Sequence, residues 1–338
     1  MMMITILFAT FIFSLTMTWV MRNYAIRKNI MDIPNQRSSH VIPTPRGGGM
    51  AIVLAFTLAV CALGATKLIA ANLAFALLGG GIAIAAVGYI DDLYKVAARW
   101  RFGAHLLIAG WAVYWLNGLP LVDLGTYQFA LHNMGIVLAV TGIIWAINLY
   151  NFMDGIDGLA GSEGLFVAVA SGLVLWFSHQ PNMAFLLWLL AASIAGFTWL
   201  NWPPAKIFLG DAGSGFLGYV FGVLAVYTAN THSLPIVFWL IILAIFICDA
   251  TFTLLYRMLQ GKQWYAAHRE HAYQHLICWG ASHKQVTLGI LLVNFLLILP
   301  IALYAQYSPW SAFWLMLSLL GLLLITWVSI KSLKFTGR

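Results

Sequence analysis

The 338-residue chain is poor in charge: Asp, Glu, Lys and Arg make up 8% of it, against about 25% in soluble globular proteins. That scarcity excludes an ordinary cytosolic enzyme. Cysteine is scarce too. Cys61, Cys248 and Cys278 are an odd number at wide spacings with no C-x-x-C pair, so neither a disulfide framework nor a zinc ribbon is expected. The apolar runs are continuous and lack the strict apolar–polar alternation of a membrane β-barrel. No repeat of fixed period and no low-complexity tract is visible. No basic residue precedes the first apolar run, whereas Arg22, Arg27 and Lys28 follow it, the reverse of a cleaved signal peptide; the run reads as a retained anchor.

What the chain has in excess is hydrophobicity, 62% of its residues, in runs long enough to cross a hydrocarbon core about 30 Å thick. The expected architecture is an all-α polytopic integral membrane protein of about eleven transmembrane helices, near residues 2–21, 47–66, 71–90, 102–116, 134–150, 162–178, 184–200, 213–229, 235–256, 286–305 and 310–330. These spans leave room for one transmembrane domain over residues 1–338. Its cytoplasmic loops fall near 22–46, 91–101, 151–161, 201–212 and 257–285, and no separate soluble domain fits. With the N-terminus periplasmic, sixteen of the seventeen Lys and Arg residues lie on the inner side and only Lys67 outside, so the C-terminus is expected in the cytoplasm.

An ionised group within a bilayer is costly and usually functional, which makes the placement of the ten acids informative. In this topology only Asp123 is outside. The rest gather with Gly, Asn, His and basic residues in a few segments. The stretch from Asp32 to Gly49 carries Pro34, Pro43, Pro45 and Gly47, Gly48, Gly49 and is expected as an ordered loop; its glycines would let backbone N–H groups approach an anion, and Arg46 offers a fork for phosphate oxygens. Asp91 and Asp92, being adjacent, point to different sides of a helix, with Lys95 within a turn of both and Arg99 and Arg101 beyond.

Asn151, Asp154 and Asp157 recur every three residues and would share a face if helical, opened by Gly155, Gly158 and Gly161, with Glu163 following. Asp211, after the helix-breaking Pro203-Pro204, starts a glycine-rich span and suits Mg²⁺, which takes one or two protein oxygens; a helix N-cap is compatible with this. Asp249, near the inner end of its run, is the one acid partly inside a span. His268, His271 and His275 have a spacing that could chelate zinc, but phosphate or sugar recognition by His268, Arg269 and His271 suits the surroundings better.

Taken together, P-N-x-R-S-x-H and P-T-P-R-G-G-G within 34–49, D-D-x-x-K at 91–95, N-F-M-D-G-I-D-G at 151–158 and G-D-x-G-S at 210–214 make the chain resemble the polyprenyl-phosphate N-acetylhexosamine-1-phosphate transferases, the family of WecA, TagO, WbpL and MraY, over nearly its whole length. The fifth segment, His268-Arg269-Glu270-His271-Ala272-Tyr273-Gln274, is more similar to the WbpL group than to the consecutive histidines of MraY, which favours O-antigen or related surface-polysaccharide initiation over a peptidoglycan-precursor role.

The resemblance implies a phosphotransferase of the bacterial cytoplasmic (inner) membrane. It would move an N-acetylhexosamine 1-phosphate from a UDP-sugar to undecaprenyl phosphate and release UMP. It further implies Asp91 and Asp92 as catalytic, Asp211 and Asn151 as ligands of Mg²⁺ (Mn²⁺ as substitute), Asp154 and Asp157 at the nucleotide, His268, Arg269 and His271 at the diphosphate or sugar, and Lys95 and Arg46 at the lipid phosphate. The expected partners are the UDP-N-acetylhexosamine, undecaprenyl phosphate and membrane lipid, with no nucleic acid and a homodimer left open. Two other classes stand beside this reading: an ion-coupled secondary transporter, which should place acids near mid-span at broken helices, and a scaffold whose acids merely cap helices.

Overall fold

The computed structural model describes residues 1–34, 40, 42–119, 121–124, 127–263 and 268–333. Asn35, Arg37 and Ser38 of the first motif, Ala267 of the fifth segment, and Lys334 and Arg338 of the basic tail lie outside the described residues.

Within a bilayer every backbone N–H and C=O must find its partner inside the segment, and the apolar runs accordingly form helices. In chain order these are α1 (Met2–Arg27), α2 (Met50–Ala65), α3 (Ala71–Tyr94), α4 (Ala98–Leu116), α5 (Met134–Met153), α6 (Leu159–Phe177), α7 (Pro181–Asn201), α8 (Gly210–Asn230), α9 (Ile236–Ile242), α10 (Ala244–Leu259), α11 (Ala272–Trp279), α12 (His283–Tyr307) and α13 (Pro309–Lys331). Two short antiparallel ladders pair β1 (Met31–Asp32) with β2 (Thr44–Pro45) and β3 (Leu121–Asp123) with β4 (Gln128–Ala130).

Among the described residues, eight helices are long and apolar enough to cross a membrane: α1, α3, α5, α6, α7, α8, α12 and α13. The pair α9–α10 qualifies jointly but is bent by 78° between its halves. Helix α2 is apolar yet only 16 residues long, and α4 begins with Arg99 and Arg101, which keeps it outside the eight. The chain is thus a mostly helical polytopic membrane protein.

The bundle is layered. Within their most apolar stretches, α6, α7 and α8 are 78%, 72% and 78% buried, whereas α1 and α13 are 11% and 17% buried and turn apolar side chains outward. Small residues bring the remaining elements onto the start of the central α8. A Cβ on Gly88 of α3 would stand 2.4 Å from the Asp211 carbonyl oxygen, and one on Gly49 would stand 2.3 Å from the Gly213 Cα. These approaches carry the end of α3 and the loop before α2 to the N-terminus of α8.

Candidate active site

Asp92 ends α3 with its side chain only 2% exposed, and its carboxylate accepts the backbone N–H groups of Asp211 at 3.0 Å and Ala212 at 3.4 Å. It therefore caps α8 from a neighbouring helix, satisfying donors that the helix itself leaves open. Gly210 makes room for this: its φ is +77°, and a Cβ there would lie 2.6 Å from Asp92 Oδ2. Asp211, in the first turn of α8, is left free to face the cluster.

Two guanidiniums bind the acids together. Arg46 places Nε 2.7 Å from Asp92 Oδ1 and Nη2 2.6 Å from Asp211 Oδ1. Arg101 places Nη1 2.5 Å from Asp91 Oδ2 and 3.9 Å from Asp211 Oδ2, while the Val96 N–H donates to Asp91 Oδ1 at 2.6 Å. Asn151 Nδ2 donates to Asp211 Oδ1 at 3.0 Å and to Ser214 Oγ at 3.2 Å. Asp91, Asp92, Asp211, Arg46 and Asn151, chosen from four separate motifs, thus meet in one place, and the two adjacent aspartates do face different partners.

Other expectations are corrected. Lys95 leaves the helix in the left-handed conformation at φ +51° and is exposed; Arg101, at the start of α4, is the cation that meets Asp91. The glycines before α2 do not present a free anion cradle, because Gly48 N–H donates to the Phe208 carbonyl at 2.9 Å and Gly49 N–H to that of Leu209 at 2.9 Å. Asn151, Asp154 and Asp157 do not share a helical face, because α5 ends at Met153 and a turn follows.

Asp157 points away from the cluster, with Oδ1 3.2 Å from His283 Nδ1 and Oδ2 accepting the Ala205 N–H at 3.0 Å. Burial alone would raise its carboxyl, but these contacts more than offset it and hold the group below the usual carboxylate range. Glu163 is also remote: it lies inside α6, 1% exposed, and accepts the Asn294 Nδ2 at 2.6 Å.

The fifth segment becomes helical only at Ala272, so the histidines do not line one helical face. His271 is the buried N-cap residue of α11, stacked against Phe152 and Tyr273 at centroid distances of 6.1 and 5.8 Å. His275 Nε2 instead lies 3.3 Å from Lys331 Nζ. The His268 imidazole is pushed down to about 4 by burial and by the neighbouring His271 and Arg257, which favours its neutral form. Arg269 has a buried Nε with no hydrogen-bond partner among the described residues.

The donor chemistry at the start of α8 suits a divalent cation. Asp91, Asp92 and Asp211 contact two guanidiniums, and Asp154 stands near enough to Arg46 to interact with it electrostatically. Burial pushes the Asp154 carboxyl well above its ordinary range; Arg46 opposes the shift, while Asp211, Asp92 and Asp157 reinforce it. A neighbourhood with such an excess of acid fits Mg²⁺, which takes one or two carboxylates and fills its remaining positions with water and phosphate oxygens. Among the described residues no group of three or more His, Cys, Asp or Glu side chains could hold a metal ion.

The sequence reading missed Arg101 as the partner of Asp91, His283 as that of Asp157, Ser214 beside Asn151, and the task of Asp249, whose carboxylate accepts the N–H groups of Ala272 and Tyr273 at 2.7 and 3.2 Å. A cation opening the helix just after D-D-x-x-K was the available signal for Arg101. No local signal marks the other three, because their partners are 60 or more residues away, or, for Asp249, beyond an irregular loop.

Comparison with known proteins gives the family of the chain. Residues 74–229, which include most of α3, all of α4 to α7 and most of α8, match the model of glycosyl transferase family 4. A Bacillus subtilis (strain 168) protein named "Probable undecaprenyl-phosphate N-acetylglucosaminyl 1-phosphate transferase" is 31% identical over 323 residues, spanning 90% of this chain and 86% of its own. The undecaprenyl-phosphate alpha-N-acetylglucosaminyl 1-phosphate transferases of Escherichia coli (strain K12) and Yersinia pestis are 27% and 28% identical, spanning 93% and 94% of this chain and 87% and 88% of theirs. Similarity over that length, in a chain whose motif residues from four segments converge on one helix terminus, shows that this chain belongs to glycosyl transferase family 4.

Proposed function

We propose that the protein transfers an N-acetylhexosamine 1-phosphate from a UDP-sugar to undecaprenyl phosphate, giving a polyprenyl diphosphate sugar and UMP. The observation that carries this reading is the convergence of Asp91, Asp92 and Asp211 on Arg46 and Arg101 at the start of α8. The names of the relatives support the same substrate classes. In the reaction an oxygen of the lipid phosphate forms a bond to the sugar-bearing phosphorus, and the bond from that phosphorus to the bridging oxygen breaks, leaving UMP.

Two anions must approach, so the chain has to neutralise and align them. Arg46 and Arg101 would release their carboxylate partners in part and take phosphate oxygens in bidentate fashion. Asp91 and Asp92 orient these guanidiniums, and either can accept a proton from the lipid phosphate. Asp154, with His268 and Arg269, faces the nucleotide-sugar side; His271 and Asp157 act from beneath, through the groups they hold. Lys95, exposed at the end of α3, is placed to attract the lipid phosphate at longer range. Asp211, with Asn151 beside it, would hold Mg²⁺, or Mn²⁺ in its place, and the ion supplies charge neutralisation on the diphosphate.

The same reading places the whole described chain in one transmembrane domain of eleven spans in the bacterial inner membrane, N-terminus periplasmic and C-terminus cytoplasmic, counting α2, α4 and the bent α9–α10 pair as spans. It assigns the enzyme to initiation of O-antigen or a related surface polysaccharide. The test uses purified, detergent-solubilised protein with undecaprenyl phosphate, Mg²⁺ and a panel of UDP-N-acetylhexosamines, starting with UDP-N-acetylglucosamine. Formation of UMP with a lipid diphosphate sugar is the expected outcome; formation of UDP would mean ordinary glycosyl transfer and overturn the reading.

A further inference from the structure

One buried carboxylate that the proposed chemistry does not use ties the histidine segment to the bundle. Asp249 lies on α10 beyond the 78° bend and is 7% exposed. Its Oδ1 accepts the Ala272 N–H at 2.7 Å and the Thr253 hydroxyl at 3.1 Å, and its Oδ2 accepts the Tyr273 N–H at 3.2 Å. His271 Nδ1 stands 3.6 Å from the same Oδ1. Outward, the Trp327 indole of α13 donates to Thr253 Oγ1 at 3.2 Å. Inward, the Tyr273 hydroxyl donates to the Phe152 carbonyl at 2.9 Å, and a Cβ on Gly155 would lie 2.1 Å from that hydroxyl oxygen. Phe152 adjoins Asn151, and Gly155 adjoins Asp154. A continuous set of hydrogen bonds therefore runs from the last helix, through Asp249 and the first turn of α11, to the last turn of α5 beside Asn151.

We propose that Asp249 and Tyr273 are positioning residues for the nucleotide-sugar half of the site, fixing His271 and the adjoining His268 and Arg269 against the Asn151–Asp154 loop; this rests on the reading given above. An isolated helix of eight residues, like α11, is not stable in itself, so its orientation depends on outside ties. A carboxylate accepting two N–H groups at a helix N-terminus is a strong one, because the bonds are charge-assisted and aligned with the helix dipole. Glu270, paired with Arg257 and Lys262, anchors the other flank of the segment. Loss of the Asp249 contacts would therefore leave the segment attached but able to tilt, disturbing the sugar-nucleotide half of the site and sparing the lipid-phosphate half around Arg46 and Arg101.

The test compares wild type with Asp249→Asn, Tyr273→Phe and Trp327→Phe, using UDP-N-acetylglucosamine and undecaprenyl phosphate as variable substrates, alongside hydrogen–deuterium exchange of residues 268–279. Wild-type UMP formation establishes the reaction independently of the variants. The KM for the UDP-sugar should rise about tenfold in Asp249→Asn and about threefold in Tyr273→Phe, consistent with loss of buried hydrogen bonds, and less in Trp327→Phe. The KM for undecaprenyl phosphate should stay at the wild-type value, and exchange at the start of α11 should accelerate in the same order. A purely structural tie would reduce the folded fraction while leaving both KM values unchanged, and that result would overturn the proposal. If Asp249→Asn fails to fold, Tyr273→Phe, which loses a single hydroxyl, decides the matter: a wild-type KM and wild-type exchange would contradict it. Should the wild type transfer no sugar phosphate, the proposed reaction fails, and unchanged exchange in Tyr273→Phe would separately defeat the positional tie.

Discussion

At the start of α8, Asp91, Asp92 and Asp211 are held by two arginines and by backbone N–H groups, on helices locked together where glycines admit close contact. In the histidine segment, His268 and Arg269 lie on irregular backbone, and the helix that follows, α11, is eight residues long and is tied to Asp249 through two backbone N–H groups. The first region is preorganised by the bundle and the second by a few removable contacts. Phosphoryl transfer draws most of its rate from fixed charges around the reacting phosphates, whereas a substrate's outer groups can be met by a more adjustable surface. On the proposed function, chemistry falls to the rigid region and recognition to the tethered one.

The sharpest division between the regions should appear within the rigid one. Asp211→Asn should lower turnover by about 10³-fold with a thermal midpoint close to wild type, since its carboxylate serves the cluster and not the helix cap. Near-normal turnover in that variant would remove Asp211 from the metal role. Asp92→Ala should lose activity to a similar degree and also about 3 kcal/mol of stability, because it leaves Arg46 and two buried N–H groups short of a partner. Equal stability of the two variants, read by thermal unfolding in detergent, would break the distinction between cap and site.

A smaller effect separates the two candidate cations near Asp91. Arg101→Gln should reduce kcat/KM for undecaprenyl phosphate by about 10²-fold, and Lys95→Ala by about threefold or less, as befits a half-exposed guanidinium held against Asp91 compared with an exposed point charge. The reverse order would restore Lys95 to the place that spacing alone suggested. In the tethered region His268→Gln should cost about tenfold in kcat/KM for the UDP-sugar while leaving the pH profile between about 6 and 8 unchanged, because the imidazole is neutral throughout that range. Disappearance of an ionisation from that profile would contradict a neutral His268.

The smallest effect concerns Asp157. Its folded carboxyl sits below the ordinary value, so it contributes stability above the unfolded pKa of about 3.9, and that contribution disappears as pH falls through the folded value. The acid side of the thermal midpoint curve should be shallower in Asp157→Asn than in wild type. Identical curves would show that the His283 and Ala205 contacts add nothing in solution.

How far these regions were legible follows from the same contrast. The helices were readable because a bilayer imposes one period on every apolar run: the eleven expected segments each fall on a helix or on the bent α9–α10 pair, and eight of the described helices are long and apolar enough to cross a membrane. The acid cluster was readable because Asp91, Asp92 and Asp211 are ionisable groups at the ends of such runs, where their presence requires a reason. Partner choice was not. Lys95 is near Asp91 in sequence, but the left-handed turn at the end of α3 removes it, and Arg101 arrives from the next helix. The shared face of Asn151, Asp154 and Asp157 assumed a helix that stops at Met153, before Gly155 and Gly158. Asp249 looked like an acid inside a span, and its purpose lies in backbone N–H groups 23 and 24 residues away.

The central claim is that the cluster at the start of α8 joins the lipid phosphate directly to the sugar phosphate. It is tested most directly by counting products: purified protein is given UDP-N-acetylglucosamine and Mg²⁺, with and without undecaprenyl phosphate, and UMP, UDP, lipid diphosphate sugar and protein-bound phosphate are measured together. The account predicts one UMP for each lipid diphosphate sugar, none without the lipid, and both products formed about 10³-fold more slowly by Asp211→Asn. Release of UDP, or of UMP without lipid and with phosphate left on Asp91 or Asp92, would contradict it.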